Sequence, residues 1–138
     1  MYKRILHATD LQKNHFAMCE KANTLAKYHH AELFLVHIVE IPQSMILAQN
    51  LGFAGLIAPA KEDAKIVLKT VGEALKIPTS HQFVDTGIVR QHILERATSL
   101  KCDLIILGRH GEGMLQSLLG STTYHIMQHA ECDVLTLK

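Results

Sequence analysis

The hydrophobic and polar positions follow two spacings, one typical of buried strands and one typical of helices. Short, nearly continuous apolar runs predict five strands, at residues 4–9, 33–39, 81–84, 104–108 and 133–137. The third run is weaker than the others and has polar flanks, which is typical of a strand at a sheet edge. The residues after it, Asp85, Thr86 and Gly87, predict a turn.

Between the strands, apolar residues recur every three or four positions, which predicts four amphipathic helices. The first helix begins at Lys13 or Asn14, the second at Pro59, and the last between residues 113 and 116. Residues 41–58 are the least regular part of the chain and predict a long loop. The apolar faces of the four helices are Met18, Ala22, Leu25 and Ala26; Ala60, Ala64, Val67, Leu68, Val71 and Leu75; Val89, Ile93, Leu94, Ala97 and Leu100; and Leu115, Leu118, Leu119, Ile126 and Met127.

The resulting order of alternating strands and helices predicts an α/β fold. Alternation of this kind is typical of a parallel sheet with helices on both faces. A length of 138 residues, of which 48% are hydrophobic, favours one domain over residues 1–138 with a core of ordinary size.

Charge and hydropathy exclude several classes of partner. A net charge of +1 leaves no electrostatic footprint for a nucleic acid. No apolar segment approaches the roughly 20 residues that span a bilayer. The first residues lack the apolar core of a signal peptide, so we expect a soluble, cytoplasmic protein.

The three cysteines, Cys19, Cys102 and Cys132, are odd in number and widely spaced. This pattern argues against structural disulfides and zinc-ribbon sites. We expect each cysteine to lie in or beside the core as a small apolar residue.

The strongest chemical signal is the glycine-rich segment after the fourth strand. The apolar run 104–107 ends in Gly108-Arg109-His110-Gly111-Glu112-Gly113, and Gly120, Ser121 and Thr122 follow. Glycine lets backbone N–H groups approach a ligand, and a helix that begins after such a loop adds partial positive charge. The segment therefore points to a nucleotide or another phosphate compound, although a tight structural turn also fits its spacing.

Asp10, at the end of the first strand, is the second candidate. In an open parallel sheet, ligands bind outside the carboxyl ends of the strands where the strand order reverses. If the first and fourth strands are neighbours there, Asp10 and Gly108 share one crevice. Asp10 could also be only a turn residue.

Known fingerprints do not account for the glycines. The segment is neither a P-loop nor the dinucleotide fingerprint, since residues 6–10 contain no glycine. A nucleotidyl-transfer enzyme of similar architecture would carry H-x-G-H after the first strand, where this chain has His7-Ala8-Thr9-Asp10.

Taken together, these segments resemble a single-domain universal stress protein. The resemblance covers essentially the whole chain. It implies an open five-stranded parallel sheet in the order 3-2-1-4-5, Rossmann-like and similar to adenine nucleotide alpha hydrolases, in a protein that is usually dimeric. The segments that carry it are Arg4-Ile5-Leu6-His7-Ala8-Thr9-Asp10, Leu35-Val36-His37-Ile38, Asp103 to Gly111, Leu118-Leu119-Gly120-Ser121-Thr122 and Asp133-Val134-Leu135.

Nucleotide-binding members of that family carry G-x2-G-x9-G-[ST]. Here Gly108 and Gly111 fit, as do Gly120 and Ser121, but eight residues separate Gly111 from Gly120. The resemblance implies ATP or a related adenine nucleotide, which can carry Mg²⁺, with Asp10 on the adenine or ribose and Ile38 against the base. The implied binding residues are Ala8, Asp10, Ile38, Gly108, Arg109, His110, Gly111, Gly113, Gly120, Ser121 and Thr122.

The short gap and Glu112, whose charge would repel a phosphate, leave an alternative open. The chain could be a nucleotide-free dimerising interaction module with a vestigial site. In either case we expect a regulatory protein with no catalytic residues, at most slow ATP hydrolysis, and an unidentified protein partner. A homodimer is expected through the terminal strand, Val134 to Leu137, because an exposed strand edge invites pairing.

Ten histidines invite a metal hypothesis, and His125 and His129 have a chelating spacing. No third ligand follows at an obvious spacing, so we expect a solvated or interfacial helix face and no metal site. His37, within a buried strand, is expected to be a hydrogen-bonded core residue.

Overall fold

A computed structural model describes residues 1–41, 57–108 and 120–138. Over these ranges strands and helices alternate along the chain, as the sequence predicts. Their bounds are β1 Arg4–Ala8, α1 His15–His29, β2 Glu32–Glu40, α2 Ile57–Leu75, β3 Gln82–Gly87, α3 Val89–Ser99, β4 Leu104–Gly108, α4 Ser121–His129 and β5 Asp133–Leu137, with a 3₁₀ turn at Thr79–His81 before β3.

The strands form one parallel sheet in the order β3-β2-β1-β4-β5, which confirms the predicted topology. The central strand is β1, whose Leu6 is in register with Phe34 of β2 and Ile105 of β4. The chain moves outward on one side of β1 through β2 and β3, and then returns to the other side through β4 and β5. The strand order therefore reverses between β1 and β4, where parallel sheets open a crevice.

Alternate residues of the central strands are buried on opposite faces of the sheet. Ile5 and Ile106 pack in the core under α1 and α2, whereas Leu6 and Ile105 pack in the core under α3 and α4. All four side chains are 0% exposed. Full burial of one such side chain stabilises the fold by about 2 kcal/mol, which explains why these strands are nearly continuous apolar runs.

Three helices begin at positions other than those predicted, and α1 does so by one residue, at His15 after its N-cap Asn14. Helix α2 begins at Ile57, so Pro59 lies inside its first turn, where the missing N–H has no intrahelical partner to lose. Helix α4 begins at Ser121, because Gly120 is its N-cap in an extended conformation, with φ −58° and ψ 153°. The predicted start at residues 113–116, and the apolar residues Leu115, Leu118 and Leu119, lie outside the described residues.

The predicted turn at Asp85-Thr86-Gly87 is wrong, because these residues form the second half of β3. They are in register with residues 38–40 of β2, so sheet pairing overrides their turn preference. A bidentate ion pair from Arg96 of α3 also holds Asp85, and the Arg96 guanidinium lies 4.2 Å from the centre of the Phe83 ring. The Asp85 carboxylate in β3 is thus paired with a side chain of a neighbouring helix.

Ile41 is buried, and the rest of the predicted loop up to residue 56 lies outside the described residues. The three cysteines are free thiols, and Cys19 is fully buried. No helix within the described ranges has the length and apolar character needed to cross a bilayer.

Candidate functional site

A cavity of about 1110 Å³ opens at the carboxyl ends of the central strands. Its walls come from the ends of β1, β2 and β4, from the turn between β1 and α1, and from the first residues of the helices. This is the point of strand-order reversal, so the fold places the cavity where an open α/β sheet binds ligands. Its volume is sufficient for a nucleotide-sized molecule.

Five of the residues named from the sequence line this cavity: Ala8, Asp10, Ile38, Gly108 and Thr122. Gly120 and Ser121 are exposed at the start of α4, directly before Thr122. Arg109, His110, Gly111 and Gly113 lie outside the described residues, as does Glu112. The structure therefore brings together residues from three strands and one helix that are up to 114 positions apart.

The turn after β1 is held by its own polar groups. The Asp10 Oδ1 atom accepts a hydrogen bond from the Gln12 N–H at 2.9 Å, and Thr9 Oγ1 accepts one from the Leu11 N–H at 3.2 Å. The Thr9 N–H extends the pairing of β1 with β2 by donating to the Val36 carbonyl at 2.9 Å. Asp10 thus has the turn role that the sequence allowed, and its side chain is exposed at the cavity.

Three helices direct their N-termini toward the cavity. His15 of α1, Val89 of α3 and Thr122 of α4 each belong to a first turn and line it. None of the three N-cap positions makes a side-chain hydrogen bond, and none of the three first turns contains an acidic residue. The N–H groups and partial positive charges of these helix ends therefore favour an anion in the cavity.

The side wall under α3 is apolar. Ile38, Ile93 and Leu107 are at most 6% exposed and line the cavity beside the half-buried Val89. A flat apolar group placed there would gain dispersion contacts and lose contact with water. Next to the helix N-termini, this wall makes a site for a molecule with one apolar end and one anionic end.

His7 also lines the cavity, although the strand pattern gave it no role beyond its place in β1. Its ring is 1% exposed, and its Nδ1–H donates to the Ile106 carbonyl at 3.0 Å. Nε2 has no hydrogen-bond partner among the described residues. Desolvation lowers the pKa of His7 to about 4, against smaller raising effects from the Ile106 hydrogen bond and from Asp10. His7 is therefore a neutral group at physiological pH.

His37 lies on β2 two residues beyond Leu35, which is the register partner of His7. Its Nδ1–H donates to the Thr9 carbonyl at 2.9 Å, which confirms the predicted hydrogen bond. The ring is half-buried and lines the cavity, which the sequence pattern did not indicate. It ties the end of β2 to the turn that carries Asp10.

No group of three potential metal ligands occurs among the described residues. His125 and His129 stack with ring centres 4.2 Å apart, and the Nδ1–H of His129 donates to the His125 carbonyl at 2.9 Å. The two rings on this exposed helix face thus contact each other.

The universal stress protein family model matches residues 1–138. The chain belongs to the universal stress protein family. Among curated relatives, universal stress protein A homolog 2 of Coxiella burnetii is 37% identical over 140 residues, covering 99% of this chain and 95% of the relative. The match to the family therefore covers the whole chain.

Solved universal stress proteins share this fold at low sequence identity. UspA from Lactobacillus plantarum has a TM-score of 0.80 at 22% identity, over 99% of this chain and 98% of that one. A universal stress protein solved in complex with cAMP has a TM-score of 0.67 at 19% identity, over 99% and 97% of the two chains. These likenesses establish the architecture of the sheet and its helices.

Proposed function

We propose that this universal stress protein is a stress-response regulator that binds an adenine nucleotide, ATP or AMP, at the carboxyl ends of β1 and β4. The observation that carries the proposal is the cavity itself, in which uncapped helix N-termini face an apolar wall. A nucleotide has the matching chemistry, with an apolar, planar base at one end and phosphates at the other.

The geometry favours one orientation of the nucleotide. The base packs near Ala8 and against Ile38, and the Asp10 carboxylate accepts a hydrogen bond from the base or ribose. The phosphates, with or without Mg²⁺, lie at Gly108 and at the N-terminus of α4, where Ser121 and Thr122 offer backbone and hydroxyl donors. The proposed glycine-loop contacts, Arg109, His110, Gly111 and Gly113, lie outside the described residues.

One structural relative supports the proposal of an adenine ligand, because that universal stress protein was solved in complex with cAMP. Two sequence features favour the alternative, a nucleotide-free interaction module. Glu112 brings negative charge into the glycine segment, and the Gly111–Gly120 gap is one residue shorter than in nucleotide-binding members. The ligand therefore has to be tested directly.

We propose binding and regulation, with at most slow ATP hydrolysis. A bound nucleotide would shift the protein toward whichever conformation binds it better, and so change the surface offered to a protein partner. Release of ADP, followed by chromatography, measures any turnover. Hydrolysis at rates typical of metabolic enzymes would contradict this regulatory role.

ATP at about 100 times its Kd should stabilise the protein by about 2.7 kcal/mol, a rise in Tm of roughly 10 °C. Thermal unfolding with and without ATP and MgCl₂ measures the shift, and mass spectrometry of denatured protein detects co-purified nucleotide. The Tm shift with adenosine alone measures binding to the apolar wall, and the shift with inorganic triphosphate alone measures binding at the helix N-termini. If ATP produces no shift and no nucleotide co-purifies, the interaction-module alternative is favoured.

We also propose a homodimer through the outer edge of β5. In the described structure, β5 pairs only with β4, and Leu135 on this edge strand is 37% exposed. Residues 133, 135 and 136 of this strand are exposed and residues 134 and 137 are half-buried, so the edge is accessible for pairing with a second copy.

Light scattering during size-exclusion chromatography should give twice the chain mass of 15.4 kDa. The Leu135→Glu variant places a charge on this edge strand and should shift the mass toward one chain, whereas Leu135→Val should remain dimeric. A single-chain mass for the unmodified protein at micromolar concentration would refute the dimer.

A further inference from the structure

A second cavity, of about 310 Å³, lies at the opposite end of the sheet from the proposed nucleotide site. It is bounded by the last turns of α3, by the junction of α4 with β5, and by the residues before β4. Its lining includes the apolar residues Ala97 and Ile105 and two cysteines, Cys102 and Cys132. Both cysteines are half-buried free thiols.

Strand register brings these two cysteines close together. The β4–β5 ladder begins with Leu104 opposite Asp133, so the same register carried one step back places Cys132 opposite Asp103, the residue next to Cys102. Strand spacing and rise per residue place diagonal neighbours of this kind roughly 6 Å apart at Cα, within the range of disulfides. Both side chains also pack against the same core cluster, under α3 and α4.

The surroundings keep both groups as thiols. Burial raises the pKa of Cys102 to about 12, with Arg4 lowering it and Cys132, Asp103 and Glu32 raising it further. The pKa of Cys132 is also raised, first by burial and then by nearby Asp133, Asp103 and Glu131. Since the thiolate is the reacting form, ordinary exposure to oxygen should leave the pair reduced, and oxidation needs a strong oxidant in excess.

We propose that Cys102 and Cys132 form a redox modification site that a hydroperoxide converts into an intramolecular disulfide. One cysteine, deprotonated to its thiolate, attacks a peroxide oxygen and becomes a sulfenic acid, and the leaving hydroxide takes up the released proton to form water. The second thiol then attacks the sulfenic sulfur, forms the S–S bond and releases a second water. Two thiols are thereby oxidised while one hydrogen peroxide is reduced to two waters.

This cross-link would enclose residues 102–132, which include β4 and α4. A covalent loop of this length reduces the entropy of the unfolded chain, so oxidation should raise Tm by roughly 10 °C. The site does not depend on nucleotide binding, because it lies at the other end of the sheet.

The test uses the whole protein, excess hydrogen peroxide and mildly alkaline pH. After denaturation, free thiols are blocked with iodoacetamide, and the protein is digested and analysed by mass spectrometry. We expect a linked Cys102–Cys132 peptide pair within one chain, with the fully buried Cys19 recovered as an alkylated thiol. A dithiothreitol wash should reverse both the link and the Tm increase.

Three variants separate the proposal from other oxidation chemistry. Cys102→Ser and Cys132→Ser should each lose the intramolecular link, whereas the matched control Cys19→Ala should keep it. A link that involves Cys19, a disulfide between two chains, or irreversible oxidation without a link would overturn the proposal. Peptide mapping of the unmodified protein decides the outcome even if a variant fails to fold.

Discussion

Acidification from pH 7 to pH 4 is expected to cost the folded protein about 3 kcal/mol through His7 alone. The ring is 1% exposed and its Nδ1–H donates a hydrogen bond to the Ile106 carbonyl. A proton added at Nε2 would therefore place a positive charge where water cannot solvate it. The folded protein therefore stabilises the neutral form of His7 relative to its protonated form.

The direction follows from the two pKa values of this histidine. Its pKa falls from the ordinary value of 6.5, which holds in the unfolded chain, to about 4 in the fold, so the unfolded chain binds more protons between these limits. The contribution to the free energy of unfolding is complete above pH 6.5. It is lost progressively as the pH falls toward 4.

Urea unfolding at a series of pH values between 4 and 7 measures this effect. The His7→Asn variant keeps an amide donor for the Ile106 carbonyl and cannot titrate, so its stability should decline less across this window. His30→Asn is the matched control, because His30 is exposed in a left-handed C-cap that asparagine also adopts. Parallel pH profiles for the unmodified protein and His7→Asn would show that His7 is not the titrating group.

The second large effect is expected at Gly120, where stability and nucleotide affinity should change in opposite directions. Gly120→Asp should stabilise the protein by about 0.5–1 kcal/mol, because aspartate is a preferred N-cap and complements the helix dipole. The φ and ψ angles of Gly120, −58° and 153°, are accessible to any residue. The same carboxylate would occupy the donors proposed for phosphate and repel it, lowering ATP affinity on the order of 100-fold.

Two controls separate charge from capping at this position. Gly120→Asn caps the helix without a charge and should lose less affinity than Gly120→Asp, and Gly120→Ala should bind nearly as the unmodified protein does. Calorimetric titration with ATP gives the affinities, and urea unfolding without ligand gives the stabilities. An aspartate variant with unchanged ATP affinity would place the phosphates elsewhere, whereas an unmodified protein that binds no ATP would contradict the proposed function itself.

Part of the site could be anticipated because it lies at strand ends. Asp10 and Gly108 end predicted strands, and parallel strands present these ends at one edge. Ala8 and Ile38 were indicated only through the family resemblance. His7 could not be assigned in the same way, since a strand pattern does not reveal which nitrogen is satisfied and which faces a cavity.

Gly72 shows the same limit within a helix. Periodicity predicts α2 without a reason for a glycine in its interior, where alanine is the better helix former. In the fold, a Cβ at this position would lie 1.9 Å from the Gln82 Nε2 atom and 2.7 Å from the Ile77 carbonyl oxygen. The glycine is required by the close return of the chain toward β3.

The sequence by itself determined the alternation of strands and helices, since the spacing of apolar residues is a local property. Through the family resemblance it also indicated the strand order. Only the tertiary structure decided that Asp85 to Gly87 extend β3, that three uncapped helix N-termini converge on one cavity, and that Cys102 and Cys132 line one cavity at the opposite end of the sheet. These features depend on contacts between residues distant in the chain, whose free energies decide between conformations that local patterns leave equally open.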